Sequence, residues 1–123
     1  MADTDFPDDL HAAQTRLHQA LSKYAALCRT LPWSVDPMAG WAGEEHPHTG
    51  VVTGGREDSP GYTKPQKADE AQLRAECVDL SVAVTTHPYW ESVDREKLVA
   101  ERQRLKTVTR LTAAPALSVV QAA

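Results

Sequence analysis

Two of the five histidines lie close together in an acidic segment, and this is the pattern in the chain with the most chemical potential. His46 and His48 flank a proline and directly follow two glutamates. A zinc-type ion needs three or four ligands held at about 2.0–2.3 Å. Because the sequence brings only these two ligands together, we favour a solvated loop. A metal or small-ligand site at His46 and His48 is kept as an alternative hypothesis.

The other nucleophilic or basic residues lack the local sequences that catalysis requires. Cys28 has no recognisable signature of an activated nucleophile, and neither has Ser92 beside His87. The Gly54-Gly55 pair is not followed by the Lys-Ser/Thr ending of a phosphate-binding loop. We expect His11 and His18, seven residues apart on one helix, to be exposed polar positions. The sequence therefore predicts no catalytic residue and no cofactor.

Basic residues are concentrated near the C-terminal end of the chain. They are Arg102, Arg104, Lys106 and Arg110. A cluster of this kind is the feature that a nucleic-acid backbone would contact. The whole chain nevertheless carries a formal net charge of −4, which favours a structural or solvating role for the cluster. Association with nucleic acid is kept as a further alternative.

Five aromatic residues lie outside the periodic apolar patterns. They are Trp33, Trp41, Tyr62, Tyr89 and Trp90. We expect them to close the ends of a small core. The alternative is that they come together at one end of the helices as an aromatic pocket. Tryptophan and tyrosine dominate the residues that contribute most to protein–protein binding. Any of the five that remain exposed are therefore the predicted partner-binding residues.

Helices must position these side chains, and the first is predicted over about residues 8–31. Its apolar residues recur at steps of three and four, which places them on one helix face. This stripe contains Leu10, Ala13, Leu17, Ala20, Tyr24, Leu27 and Leu31. Pro7 suits a first helical turn, and Pro32 disfavours helix at the residue before it.

Two further helices are predicted, over about residues 64–87 and 92–112. Thr63 and Gln66 have the spacing of a capping box at the start of the second helix. Its stripe contains Leu73, Cys77, Leu80 and Val84, widened by Val78 and Val82. The stripe of the third helix is thinner and contains Leu98, Leu105, Val108 and either Leu111 or Thr112. The stem of Arg102 is expected to cover the edge of the core.

The connection over residues 32–62 is rich in proline and glycine and longer than usual for a compact domain. Its first part, residues 32–41, contains two tryptophans and is predicted to lie against the helices as an ordered strap. The second part, residues 42–59, is acidic and is expected to be more mobile. Val51 and Val52 offer at most a short extended piece.

These elements predict an all-α fold, either an antiparallel helical hairpin or a three-helix bundle. The length of 123 residues fits a single domain over residues 6–112, with disordered tails at 1–5 and 113–123. No signal peptide or membrane-spanning stretch is recognised, so a cytosolic location is expected. Cys28 and Cys77 are predicted to be buried, reduced thiols.

A regular apolar stripe on a helix has to be covered by other helices of the same chain or of another. The function predicted first is therefore a small cytosolic protein-interaction module, such as an adaptor, regulator or accessory subunit. It would bind a protein partner or itself, and a four-helix core formed by dimerisation is one variant. No membrane partner is expected, and nucleic acid remains only the further alternative.

Overall fold

A computed structural model describes residues 6–122 of the protein, and the side-chain surroundings of residues 6–110. The described part contains α1 (Asp8–Cys28), β1 (Glu44–Glu45), β2 (Val52–Thr53), α2 (Lys64–Thr85) and α3 (Leu98–Ala122). The mostly helical class is confirmed, and the small antiparallel sheet corrects the expectation of an all-α chain. None of the described helices combines the length and apolar composition needed to cross a membrane.

Helix α1 begins after Pro7, with Asp8 and Asp9 in its first turn, where carboxylates interact favourably with the helix dipole. It ends at Cys28, before the predicted end near residue 31. Cys28 is exposed, so its predicted burial is wrong, because the stripe of α1 is covered less towards this end. Cys77 is buried, and both cysteines are free thiols.

Helix α2 begins with the capping box that the sequence predicts. The Gln66 backbone N–H donates to the Thr63 hydroxyl at 3.2 Å, and the Thr63 N–H donates to the Gln66 side-chain oxygen at 2.8 Å. Both hydrogen bonds satisfy N–H groups that have no partner within the helix. This local prediction is confirmed.

Two short 3-10 helices, Pro88–Ser92 and Arg95–Lys97, separate α2 from α3. The indole N–H of buried Trp90 donates to the Val84 carbonyl at 2.6 Å, which ties the corner back to α2. Helix α3 consequently starts at Leu98 and not near residue 92. It continues to Ala122 through the stretch, including Pro115, that the sequence predicts as a tail. The predicted tail at 1–5 lies outside the described residues.

Helix α1 packs against both α2 and α3. The stripe of α1 supplies Leu10 and Leu17 to a core that also contains Phe6, Val84, Trp90 and Leu105. Asp9 contacts His87 just beyond α2, and Tyr24 contacts Glu70 near the start of α2. The two helices therefore run in opposite directions.

Two polar contacts fasten the two ends of α1 to α2. The Tyr24 hydroxyl donates to the Glu70 carboxylate at 2.7 Å, and this hydrogen bond is the main reason that the pKa of Tyr24 rises to about 12. At the other end, His87 Nε2 lies 3.1 Å from the Asp9 carboxylate. His87 Nδ1 accepts from the Tyr89 N–H, so the proton resides on Nε2, which donates to Asp9. This hydrogen bond lowers the pKa of Asp9.

The connection between α1 and α2 forms a narrow two-armed ribbon over residues 33–62, called the ribbon below. Its two arms are antiparallel. The paired positions are Val35 with Tyr62, Met38 with Ser59, Trp41 with Arg56, and β1 with β2. Each step of three residues forward on one arm matches three residues back on the other, so a single register holds throughout. The backbone N–H and C=O groups of the two arms form hydrogen bonds with one another. This long connection therefore does not need the helices to supply partners for its backbone.

The ribbon adds pairing that the sequence analysis does not predict. The backbone of residues 32–41, predicted to lie against the helices as an ordered strap, bonds to residues 56–62. Residues 42–59 form the tip and the second arm of the ribbon, with Val52 in β2, and their mobility stays a prediction. Pairing between residues so far apart in the sequence leaves no local periodic signal.

Replacement of a buried core leucine should destabilise the protein far more than replacement of an exposed residue on the same helix. Leu105 is fully buried, whereas Val99 is 79% exposed. We expect Leu105→Ala to lower the free energy of unfolding by about 2–5 kcal/mol. Val99→Ala should change it by less than about 0.5 kcal/mol. Urea unfolding followed by circular dichroism measures both, and equal losses would contradict the assigned core.

A side chain at Gly40 should open the ribbon without affecting the helices. A Cβ atom at this position would collide with the backbone carbonyl of Arg56 and the backbone of Glu57. We therefore expect Gly40→Ala to accelerate hydrogen exchange of the Trp41 and Arg56 amides, which bond across the arms. The neighbouring exposed Ala39→Ser variant serves as control. Unchanged exchange in Gly40→Ala would show that the arms do not approach as described.

Candidate functional site

A groove opens between α2 and α3, with α1 as its floor. Both outer helices pack on α1, but in the described residues they make few contacts with one another. The groove has a volume of about 220 Å³. Its lining residues are Gln14, Leu17, Ser81, Val84, Thr85, Trp90, Arg102, Leu105 and Lys106. Three helices and the corner after α2 thus build one concave surface.

Apolar side chains form the deepest part of the groove. Leu17 of α1, Val84 of α2 and Leu105 of α3 belong to the same core cluster, and Trp90 closes one end. The groove is therefore a place where the core reaches the surface. A hydrophobic side chain inserted here would meet a prearranged apolar surface.

The two walls of the groove differ in charge. The α2 wall presents the uncharged hydroxyl residues Ser81 and Thr85, whereas the α3 wall presents Arg102 and Lys106. The Arg102 guanidinium lies 5.5 Å from the centre of the Trp90 ring, a cation–π contact at the end of the groove. Arg102, Lys106 and the exposed Arg110 are spaced by four residues and share one face of α3. The α3 wall is therefore positively charged.

A histidine joins α1 to α3 beside the groove. His18 Nε2 lies 2.9 Å from the Thr109 hydroxyl and 3.2 Å from the Lys106 carbonyl. Because a carbonyl only accepts hydrogen bonds, Nε2 carries the proton and donates it. The Thr109 hydroxyl in turn donates to the Leu105 carbonyl. His18 is half-buried, as is His11, so the expectation that both are exposed is corrected.

The surroundings of His18 disfavour its charged form. Burial is the main reason that the pKa of His18 is lowered from its usual value of 6.5. Two nearby cations of α3, Arg110 and Lys106, lower it further, and the Lys106 carbonyl acts in the opposite direction. The imidazole is therefore a neutral hydrogen-bond donor in the folded protein at neutral pH.

Exposed apolar residues continue the groove at its margins. Leu21 lies four residues after Leu17, and Val99 lies three residues before Arg102. On α2, Val78 and Val82 precede the wall residues Ser81 and Thr85 by three. Residues three or four apart are neighbours on a helix surface. Val78 and Val82 therefore extend the apolar surface beside the groove. The prediction that they widen the buried stripe of α2 is wrong, because both are exposed.

The predicted aromatic residues fall into two separate groups. The rings of Tyr89 and Trp90 contact Phe6 near the start of α1, whereas Trp33 and Trp41 are in edge-to-face contact with each other in the ribbon beyond its end. Helix α1 has 21 residues, which corresponds to about 31 Å. The alternative of a single aromatic pocket at one end of the helices is therefore wrong. Tyr62 bonds through its backbone N–H to Val35 at the base of the ribbon.

The two histidines of the ribbon lie at its tip. The rings of His46 and His48 are 5.8 Å apart. His46 Nδ1 accepts from the backbone N–H groups of His48 and Thr49, so this nitrogen is used within the turn. Across the described residues, no group of three or more histidine, cysteine, aspartate or glutamate side chains is arranged to hold a metal ion. The two histidines thus lack a third ligand there.

The four basic residues predicted for nucleic acid point to different parts of the surface. Arg104 does not share the row of Arg102, Lys106 and Arg110. Its guanidinium lies 4.2 Å from the centre of the Phe6 ring, and its Nε is 2.6 Å from the Glu101 carboxylate. The cationic row next to the groove therefore contains three of the four residues.

Residues 9–108 match the model of a protein family described as a domain of unknown function, DUF8825. The chain belongs to this family. The match extends from the first turn of α1 to the middle of α3, so the DUF8825 range includes the whole groove and the whole ribbon. No curated protein matches the chain, and no solved structure does.

Sequence reasoning missed the polar residues of this DUF8825 groove. Gln14 is buried although it is polar, and it follows Leu10 by four residues, which places it on the apolar face of α1. Thr109 is fully buried and follows Leu105 by four in the same way. A polar residue in register with an apolar stripe was the available signal. Ser81 and Thr85 carried no such signal, because their role depends on how α2 faces α3.

The contact made by His18 should make the DUF8825 domain less stable in mild acid. Below pH 6.5 the unfolded chain binds a proton at His18 before the folded protein does, so the free energy of unfolding decreases as the pH falls. We expect this decrease between pH 7.5 and 5.5 to be smaller in His18→Gln than in the wild type. Urea unfolding at several pH values measures the difference.

An NMR titration of the imidazole provides an independent control for this prediction. The pKa of His18 in the folded protein should lie below 6.5. A value at or above 6.5, or identical pH profiles for the wild type and His18→Gln, would contradict the burial of His18 between α1 and α3.

Proposed function

We propose that this protein is a small cytosolic protein-interaction module that binds an acidic amphipathic helix of a partner protein in the groove between α2 and α3. In this function α1, α2 and α3 act as a three-helix bundle with one open side. The partner helix would lie along that side and insert apolar side chains between the two outer helices. Binding of an amphipathic helix in an apolar groove is a common mode of peptide recognition.

The space between α2 and α3 above α1 is the observation that supports this function best. Leu17 of α1 is largely buried, and the core residues Val84 and Leu105 line the space beside it. Sites that enclose a small molecule occupy about 300–1,000 Å³. A volume of about 220 Å³ therefore suits one or two anchoring side chains of a partner better than a whole ligand.

The exposed apolar residues beside the groove support a protein partner. Val78, Val82 and Val99 are each more than half exposed, and Leu21 is nearly so. Contiguous apolar surface on a protein generally marks an interaction site. Because these residues flank the groove on all three helices, a helix bound there would remove them from water together.

The charge of the α3 wall determines which partner helix fits. Arg102 and Lys106 line one side and exposed Arg110 continues their row, while Ser81 and Thr85 on the other side carry no charge. Complementary charges increase association rates and exclude partners with the same charge. We therefore infer glutamate or aspartate on the partner helix next to its apolar face.

The same row of cations is the feature that a nucleic acid would use, but the apolar lining favours a helix. A nucleic-acid surface requires cations that follow a phosphate backbone. Here Val99 and Leu21 border the row, and Arg104 is directed to Phe6. Binding of nucleic acid and pairing with a second copy of this chain are kept as distinguishable outcomes of the experiment below.

A synthetic amphipathic helix of leucine, alanine and glutamate should bind the full-length protein. The same peptide with lysine in place of glutamate should bind at least about tenfold more weakly, because the α3 wall repels it. Fluorescence anisotropy measures the affinities. The indole N–H signal of Trp90 in an NMR spectrum of the labelled protein should shift on binding, since Trp90 lines the groove.

Variants of the groove separate this function from the alternatives. Lys106→Glu should weaken binding of the acidic peptide by about tenfold, and Ser81→Phe should block it by filling the groove. Lys97→Glu has the same charge change outside the groove and serves as the matched control. Equal binding of both peptides, or binding without a Trp90 shift, would refute the proposal. Salt-sensitive binding of duplex DNA would also refute it, and so would a dimer that Lys106→Glu dissociates. Either result would show that the groove binds something other than an acidic helix.

A further inference from the structure

A second exposed apolar surface lies on the ribbon, away from the groove. The rings of Trp33 and Trp41 are in edge-to-face contact, with centres 5.7 Å apart and planes at 75°. Trp41 remains 54% exposed, and Met38 on the same arm is 51% exposed. Large exposed apolar side chains are costly in water unless a partner covers them.

Hydrogen bonds within the ribbon hold both indole rings in place. The Trp33 indole N–H donates to the Glu57 carbonyl at 2.8 Å, and the Trp41 indole N–H donates to the Gly54 carbonyl at 2.7 Å. The polar atom of each ring is therefore satisfied internally. What Trp41 offers to solvent is a fixed aromatic face, and a fixed ring loses little conformational entropy when a ligand binds.

The ribbon already contains one cation stacked on this aromatic pair. The Arg56 guanidinium lies 5.1 Å from the centre of the Trp33 ring. Aromatic faces attract guanidinium and ammonium groups through the quadrupole of the ring. Trp33 thus already has a cation from within the ribbon. The indole ring of Trp41 has the same chemistry and can attract a cation from a partner.

Carboxylates dominate the charge of the ribbon. Residues 33–62 contain one basic residue, Arg56, and five acidic residues, Asp36, Glu44, Glu45, Glu57 and Asp58. Glu44 is exposed and pairs with Thr53 in the same ribbon. The exposed ring is therefore carried by a ribbon with a net negative charge. This charge is opposite to that of the α3 wall of the groove.

We propose that the ribbon is a second docking surface, which binds an arginine- or lysine-bearing segment of a partner protein with a cationic side chain on the face of Trp41. The carboxylates of the ribbon attract the remaining positive charge, and exposed Met38 contacts apolar residues of the segment. An acidic surface of this kind repels nucleic acid and anionic lipid. The site is independent of the groove, because it differs in position and in the sign of the charge that it selects.

A short capped peptide of alternating leucine and arginine should bind the full-length protein at the ribbon. The indole N–H signals of Trp41 and Trp33 should shift, while that of Trp90 should not. The same peptide with citrulline in place of arginine has the same shape without the charge, and it should bind at least about tenfold more weakly. Titration calorimetry measures both affinities at two salt concentrations.

Two kinds of variant test the contribution of the ring and of the carboxylates. Trp41→Leu should reduce the affinity for the arginine peptide by about tenfold or more, whereas Trp41→Phe, which also lacks the indole N–H, should retain more of it. Glu44→Gln leaves the ring intact. It should lower the affinity for the arginine peptide and reduce the change of that affinity with salt concentration. Glu91→Gln, exposed in the first 3-10 helix, is the matched control and should bind as the wild type does.

Several results would overturn this inference. They are equal binding of the citrulline peptide, full affinity in both Trp41→Leu and Glu44→Gln, and a shift confined to Trp90. Binding of free arginine amide as tight as that of the peptide would also refute it, because the site would then hold a small cation and not a protein segment. The groove is tested with an acidic peptide and Trp90, so failure at one surface leaves the other unaffected.

Discussion

Burial of a single apolar face of α1 is the constraint on which the rest of the helical structure depends. Leu10 and Leu17 belong to the core that α2, α3 and the corner between them cover. Because both outer helices pack on α1 and hardly on each other, their positions are determined separately by the same helix. The space that remains between the two outer helices above α1 is the groove. The proposed binding site is thus a consequence of how the core is shared.

The ribbon depends on a different interaction, the pairing of two backbone arms. Its stability comes from cross-arm hydrogen bonds such as those between Trp41 and Arg56, and from glycines that allow close approach. Of its residues, only Ser59 and Gly61 are buried. Apolar residues of the ribbon such as Met38 and Trp41 are therefore left on its surface. A helical core and an exposed ribbon in one chain provide two surfaces of opposite charge.

Local signals predicted the elements of this chain well but located its surfaces poorly. The periodic apolar residues of α1 and the capping box at Thr63 and Gln66 act within one or two helical turns, so they can be recognised without knowing the fold. The sequence left open whether the aromatic residues close the ends of the core or form one pocket, and only the fold places Trp33 beside Trp41 and Trp90 beside Phe6. Similar residue types do not specify a common neighbour.

The sequence by itself determined the helical character of the chain, the starts of α1 and α2, and the apolar face of α1. Only the tertiary structure decided which part of that face stays open, that His18 bonds to α3, and that the connection pairs with itself in one register. The physical reason is range. Capping and periodicity are local properties of the backbone, whereas grooves, cross-arm pairs and buried histidines arise from contacts between residues far apart in the chain.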